Sequence, residues 1–121
     1  MGTILLVEDD ETLQRMYKRA FDHAGLNLVQ AVNGKECLEQ VAKSPPNLII
    51  LDIMMPEMDG IQVLKKLKSD ESTGSIPVLI LTNIDNDTAT NECLNLGAVD
   101  YIVKSQVDID SLVNKVKSYL G

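Results

Sequence analysis

Reactive side chains follow short apolar runs at four places in this chain: Glu8-Asp9-Asp10, Asp52, Thr82 and Lys104. A single acid or hydroxyl in such a place is ordinarily a solvated loop residue. The four together have a chemistry of their own. Bringing Asp52 near Glu8 and Asp9 costs about 4 kcal/mol per pair at roughly 4 Å and an effective dielectric near 20. A hard divalent cation relieves that repulsion, and carboxylates, backbone carbonyls and waters are the ligands Mg2+ accepts. Such a cation also screens a carboxylate from an incoming phosphoryl group and neutralises its oxygens during transfer. Aspartate is a covalent phosphoryl acceptor in enzyme chemistry. A lysine amine adds positive charge, and a threonine hydroxyl can donate to a phosphoryl oxygen.

The elements that must position these groups can be read from the apolar patterning. Five runs of strand length, Thr3–Val7, Leu28–Val32, Asn47–Leu51, Pro77–Leu81 and Val99–Val103, alternate with amphipathic stretches. The first, third and fourth runs are apolar almost throughout, as strands buried on both faces are, which predicts a parallel sheet covered by helices. Leu13, Met16, Tyr17, Ala20, Phe21 and Ala24 recur at helical spacing, with Gly25 as a C-terminal cap. Leu38, Val41 and Ala42 mark a second helix, stopped by Ser44-Pro45-Pro46. Ile61, Leu64, Leu67 and Lys68 mark the third. The fourth, Asp87 to Leu96 before Gly97, has the thinnest apolar stripe. Ile109, Leu112, Val113, Val116 and Leu120 line the fifth, with Asp108 as its N-cap. The order βαβαβαβαβα with right-handed crossovers is a doubly wound α/β sheet with helices on both faces. In such sheets a ligand sits beyond the carboxyl ends of the strands, where all four groups lie.

Composition narrows the classes. The 121 residues make one domain, 1–121, with 45% hydrophobic and 24% charged residues and no repeat, linker or low-complexity segment. A formal net charge of −7 argues against direct nucleic-acid binding. No apolar run approaches the ~20 residues that span a bilayer. The start of the chain lacks a basic leader, so a cytoplasmic location is expected. Cys37 and Cys93 lack ligand or C-x-x-C spacing and are expected to be buried free thiols, and His23 a surface or helix-end residue.

These residues stand in runs that resemble the receiver domain of two-component response regulators over essentially the whole chain, in its single-domain, chemotaxis-regulator-like form. The runs are Ile4-Leu5-Leu6-Val7-Glu8-Asp9-Asp10, Leu51-Asp52-Ile53-Met54-Met55-Pro56-Glu57-Met58-Asp59-Gly60, Val78-Leu79-Ile80-Leu81-Thr82 and Gly97-Ala98-Val99-Asp100-Tyr101-Ile102-Val103-Lys104. The D-x-M-M-P-x-M-D-G run is the most specific. The resemblance implies a flavodoxin-like five-stranded parallel sheet of order 2-1-3-4-5 with five helices. It implies a signalling phosphoprotein of a phosphorelay rather than an enzyme, catalysing its own phosphoryl transfer and slow dephosphorylation. Asp52 would take a phosphoryl group from a histidine kinase or phosphotransferase. Mg2+ would be held by Asp9, Asp52 and the backbone carbonyl of Met54, with Glu8 acting through a water. Asp10 would lie past the metal, favourably placed at the start of the first helix. Thr82 and Tyr101 would be the switch pair, with Lys104 completing the site. Met55 and Met58 would pack the loop and Pro56 to Gly60 shape its turn. The face of the fourth helix, fifth strand and fifth helix would meet a downstream protein, or a second copy in a phosphorylation-dependent homodimer.

Two positions depart from the family pattern. Lys104 is usually followed by proline, often through a cis bond, and here Ser105 follows. A cis bond before a non-proline residue costs about 2.5–4 kcal/mol, so a trans bond is expected. The residue after the switch threonine is usually small, and here it is Asn83, whose amide can reach the site or narrow it. Two positions after Asp52 and after Thr82 stand Met54 and Ile84, which overlook the approach of hydrolytic water in the family. Neither can hold a water, and slow self-dephosphorylation is the expectation. A haloacid-dehalogenase-type enzyme would need a second acid where Met54 stands. A flavodoxin-like nucleotide binder would need a phosphate loop where Glu8-Asp9-Asp10 would repel the ligand. A pseudo-receiver, acting only as an interaction module, would not need the full set of Asp9, Asp52, Thr82 and Lys104.

Overall fold

The computed structural model describes residues 2–54 and 59–120. Five strands, β1 (Thr3–Val7), β2 (Asn27–Ala31), β3 (Leu48–Leu51), β4 (Val78–Thr82) and β5 (Asp100–Val103), alternate with helices α1 (Glu11–His23), α2 (Gly34–Lys43), α3 (Gly60–Ser69), α4 (Asp87–Asn95) and α5 (Ile109–Leu120). The strands form one parallel sheet in the order β2-β1-β3-β4-β5. This is the doubly wound architecture the patterning predicts. The boundaries move by a residue: Pro77 and Val99 sit just outside their strands, although the Pro77 carbonyl accepts from Ile49 and the Val99 N–H donates to Val78. A single 3-10 turn, Lys104–Gln106, has no counterpart in the sequence-based expectation.

Each face of the sheet carries its own core. Leu5, Val7, Ile49, Leu51 and Ile80 pack under α2, α3 and α4, through Val41, Val63, Leu64, Leu67 and Cys93. Ile4, Leu6, Leu48, Ile50, Leu79 and Leu81 pack under α1 and α5, through Tyr17, Phe21, Leu112, Val113 and Val116. Side chains alternate across a strand, so an all-apolar run supplies both cores at once. Cys37 and Cys93 are free and buried in the first core. Burial pushes their thiols up to about 12 and about 11, so both stay protonated and unreactive. His23 is exposed in the last turn of α1.

Every helix begins at the rim where the strands end, and each start is capped by an Asp or Asn. Asp10, Asn33, Asp59, Asn86 and Asp108 accept from the N–H groups of the first turns of α1 to α5. Gly25, with φ of 78°, terminates α1 in the left-handed conformation. No described helix is long and apolar enough to cross a membrane.

Candidate functional site

The strand order reverses between β2-β1 and β3-β4, so the switch point of the fold lies between the ends of β1 and β3. Residues 8–10 leave β1 there and Asp52 leaves β3. The last sheet bonds reach into both segments, since the Glu8 N–H donates to Ala31 and the Asp52 N–H to Val7. Glu8 (2% exposed) and Asp52 (6%) are therefore buried acids, whereas Asp9 is exposed.

Oxygens from Glu8, Asp9 and Asp52 all lie within 4.8 Å of one another. One amine answers them: Lys104, just past β5, donates to Glu8 Oε1 at 2.6 Å and to Asp52 Oδ2 at 2.9 Å. The second oxygen of Asp52 accepts from the Met54 N–H at 3.0 Å. Burial pulls the Lys104 amine down, but its bonds to Glu8 and Asp52 and their charges outweigh this and leave it above the ordinary lysine value. Burial raises the Glu8 carboxyl, and Lys104 only partly offsets it. Three carboxylates against one ammonium leave net negative charge in a partly buried place. That donor set fits a hard divalent cation, with Asp9 open to solvent on the side where waters would complete the coordination.

Asp10 is not in this group. Its Oδ1 accepts from the N–H groups of Thr12 and Leu13, at 2.8 and 3.1 Å, which makes it the cap of α1. A cavity of about 200 Å3 opens over the acids, lined by Glu8, Asp9, Asp10, Leu13, Asp52, Met54, Asn83 and Lys104. Met54 is 64% exposed at its edge. A groove of about 270 Å3 between α1 and α5 continues from it, sharing Leu13, Asn83 and Lys104. A larger cavity, about 800 Å3, lies between α2, the end of α3 and the segment after it, and holds none of these residues.

Thr82 and Tyr101 sit behind this cavity rather than in its described lining. Thr82 is fully buried, and its Oγ1 accepts from the Ile84 N–H at 3.3 Å. The Tyr101 hydroxyl donates to the Ile84 carbonyl at 2.7 Å, and the ring is half-buried. Both side chains are thus tied to the same residue, whose own side chain packs against the core. Asn83 is exposed on the rim.

The start of α3 meets the end of β3 through backbone contact. The Gly60 N–H donates to the Ile53 carbonyl, and a Cβ at Gly60 would stand 2.3 Å from the Asp52 carbonyl oxygen and 2.4 Å from Ile53 Cα. Only hydrogen fits there, so α3 starts directly on the backbone of Asp52. Met55, Pro56 and Met58 lie outside the described residues. No described peptide bond is cis, and with Ser105 in place of proline the chain turns at once into the 3-10 turn. There the Gln106 amide donates to Asp85 Oδ2 at 2.9 Å, linking the segments after β4 and β5 above the site.

A further contact at the site had no sequence signal. Gln14, on α1, donates from its side-chain amide to the Glu8 carbonyl, and its own carbonyl accepts from Gln30 Nε2 at 2.6 Å. A polar residue on a helix surface looks the same whether or not it has a partner.

Residues 4–117 match the family model described as the response regulator receiver domain. The chain is 34% identical over 118 residues to the transcriptional regulatory protein CrdR of Helicobacter pylori, covering 98% of this chain and 54% of that one. It is 35% identical over 117 residues to sporulation initiation phosphotransferase F of Bacillus subtilis, covering 97% and 92%. The chain spans about half the length, or less, of the first of the curated relatives it matches. Among solved structures, a Francisella response regulator 1452 receiver domain superposes with a TM-score of 0.90 at 31% identity, covering 99% of this chain and 97% of the other.

Proposed function

The chain belongs to the response regulator receiver domain family of two-component systems, and from that premise we propose that Asp52 is its phosphoryl acceptor. Receiver domains are signalling modules that accept a phosphoryl group, bind Mg2+ at an acidic pocket and interact with histidine kinases or phosphotransferases. The observation that carries the assignment is the pair of contacts on one buried carboxylate. Asp52 Oδ1 is held by the Met54 N–H and Oδ2 by Lys104, at the rim where Glu8 and Asp9 supply the remaining ligand oxygens.

A carboxylate oxygen of Asp52 attacks phosphorus, the bond from phosphorus to the donor's histidine nitrogen breaks, and that nitrogen takes up a proton. A divalent cation held by Asp9, Asp52 and the Met54 carbonyl, with Glu8 reaching it through a water, would neutralise charge on the transferring group. Glu8 suits that indirect part, because its Oε1 already accepts from Lys104. The same bond keeps the Lys104 amine beside Asp52, ready to pair with a phosphoryl oxygen.

Thr82 and Tyr101 carry the signal outward in this reading. If the Thr82 hydroxyl turns to a phosphoryl oxygen, the Ile84 N–H loses its acceptor, and the Ile84 carbonyl that holds Tyr101 shifts with it. Tyr101 lies on β5 beside α4, whose one fully buried side chain is Cys93, so this helix is lightly held. The face of α4, β5 and α5 is then the surface that meets a downstream protein or a second phosphorylated copy.

Incubation with acetyl phosphate and Mg2+ should add one phosphoryl group to the wild type and none to Asp52→Asn, read by intact mass. Equal labelling of both, or of neither, defeats the assignment. Amide exchange on the labelled sample should change in α4, β5 and α5. Changes confined to α1 and α2 would overturn the proposed partner face.

A further inference from the structure

The acids at the end of β1 have to be aimed, and Asp9, an exposed side chain, follows wherever the backbone of residues 8–10 directs it. That backbone is clamped from both ends. The Glu8 N–H completes the sheet through Ala31, the Glu8 carboxylate accepts from Lys104 and from the Asp10 N–H, and Asp10 caps α1. The remaining handle is the Glu8 carbonyl, the first one past the strand. It belongs to the peptide that joins Glu8 to Asp9, and the Gln14 side-chain amide donates to it.

Gln14 is itself immobilised. Its N–H donates to the Asp10 carbonyl in the first turn of α1, and its carbonyl accepts from Gln30 Nε2 on β2. The Gln30 carbonyl in turn accepts from Gln40 Nε2 on α2 at 2.8 Å. Three glutamines therefore run from α2 through β2 and α1 to the acidic turn, each amide donating to the next backbone carbonyl. A buried peptide carbonyl left without its donor carries a free-energy penalty that rotation of the peptide can relieve. Here that rotation would shift the Asp9 carboxylate relative to Asp52.

We propose that Gln14 is a positioning residue that fixes the Glu8–Asp9 peptide and thereby sets the affinity of the Glu8, Asp9, Asp52 cluster for a divalent cation. The inference rests on the metal-binding role of that cluster. Groups that hold metal ligands in place typically change affinity 10- to 100-fold when removed.

The test is Mg2+ titration calorimetry on the full chain, with metal-free melting measured alongside. Gln14→Met keeps the length and neutrality of the side chain and lacks the donor, so its Mg2+ dissociation constant should rise about tenfold or more. Gln14→Asn keeps a donor on a shorter arm and should recover part of the loss. Labelling of Gln14→Met by acetyl phosphate should return toward the wild-type extent when Mg2+ is raised to saturation. An unchanged dissociation constant in Gln14→Met overturns the proposal. So does a lower metal-free melting temperature with unchanged affinity, which would make the bond merely structural. A wild type that binds no Mg2+, or an Asp9→Ala variant that binds it normally, would instead sink the metal site on which the inference stands.

Discussion

If Asp52 carries the phosphoryl group as proposed, Met54 and Asn83 border the path a water would take to reach it. Both line the cavity over the acids, Met54 with a largely exposed thioether and Asn83 with an exposed amide. Ile84 is turned to the core instead, so any obstruction rests on the other two. A thioether cannot orient water for in-line attack, whereas a carboxamide can. The phosphorylated wild type should therefore be long-lived after donor removal. Met54→Asn should hydrolyse roughly tenfold faster, a barrier change of about 1.4 kcal/mol. Asn83→Ala should be slower still if its amide presently holds the water. An unchanged rate in Met54→Asn, or wild-type decay within seconds, would refute the argument from water positioning.

At the scale of elements, β5 and α5 are joined by a polar clasp that titrates. Asp100 Oδ2 accepts from the Tyr119 hydroxyl at 2.9 Å and from Lys115 at 3.0 Å, while Oδ1 accepts from the Tyr101 N–H. Burial alone would raise this carboxyl, but the bonds to Lys115, Tyr101 and Tyr119 outweigh it and hold it below the ordinary aspartate value. A carboxyl lowered in the folded state stabilises the fold above its unfolded pKa, and the stabilisation is lost as pH falls through the folded value. The Lys115 side chain is nearly half exposed, so solvent screens the ion pair. Asp100→Asn should thus cost about 1 kcal/mol near pH 7, and the gap to the wild type should close below about pH 4. Urea unfolding at several pH values would show it, and a gap independent of pH would mean that the charge contributes nothing.

For the whole molecule, the proposed metal site would link stability to the cation. The formal charge of −7 is concentrated in part at one rim, where three acids face one lysine. A cation that binds the folded state and not the unfolded chain stabilises by mass action. Tenfold excess over the dissociation constant is worth about 1.4 kcal/mol, or roughly 6 °C in melting temperature for a domain of this size. Mg2+ should raise the melting temperature of the wild type by that order and leave Asp9→Ala unmoved. Equal melting with and without Mg2+ in the wild type would count against the site.

The chain's local patterning determined the elements and singled out most residues of the proposed site. Both cores need apolar residues on each face of β1, β3 and β4, and such runs declare themselves in sequence. Asp52, Thr82 and Lys104 could be singled out because Asp52 and Lys104 follow directly on β3 and β5 and Thr82 ends β4, and the strand ends of a parallel sheet share one rim. What the sequence could not determine are contacts between residues that share neither a strand end nor a period. Lys104 reaches Glu8 across 96 positions and Asp52 across 52, yet its division between the two acids is decided by where β5 lies in the sheet. The tie of Thr82 and Tyr101 to Ile84, the pressing of Gly60 onto the Asp52 backbone and the amide of Gln14 on Glu8 are of the same kind. Hydrophobic patterning is a property of neighbours along the chain and survives in the sequence. A hydrogen bond depends on distances and angles set only when helices and strands have packed, and two glutamines with different partners read alike until then.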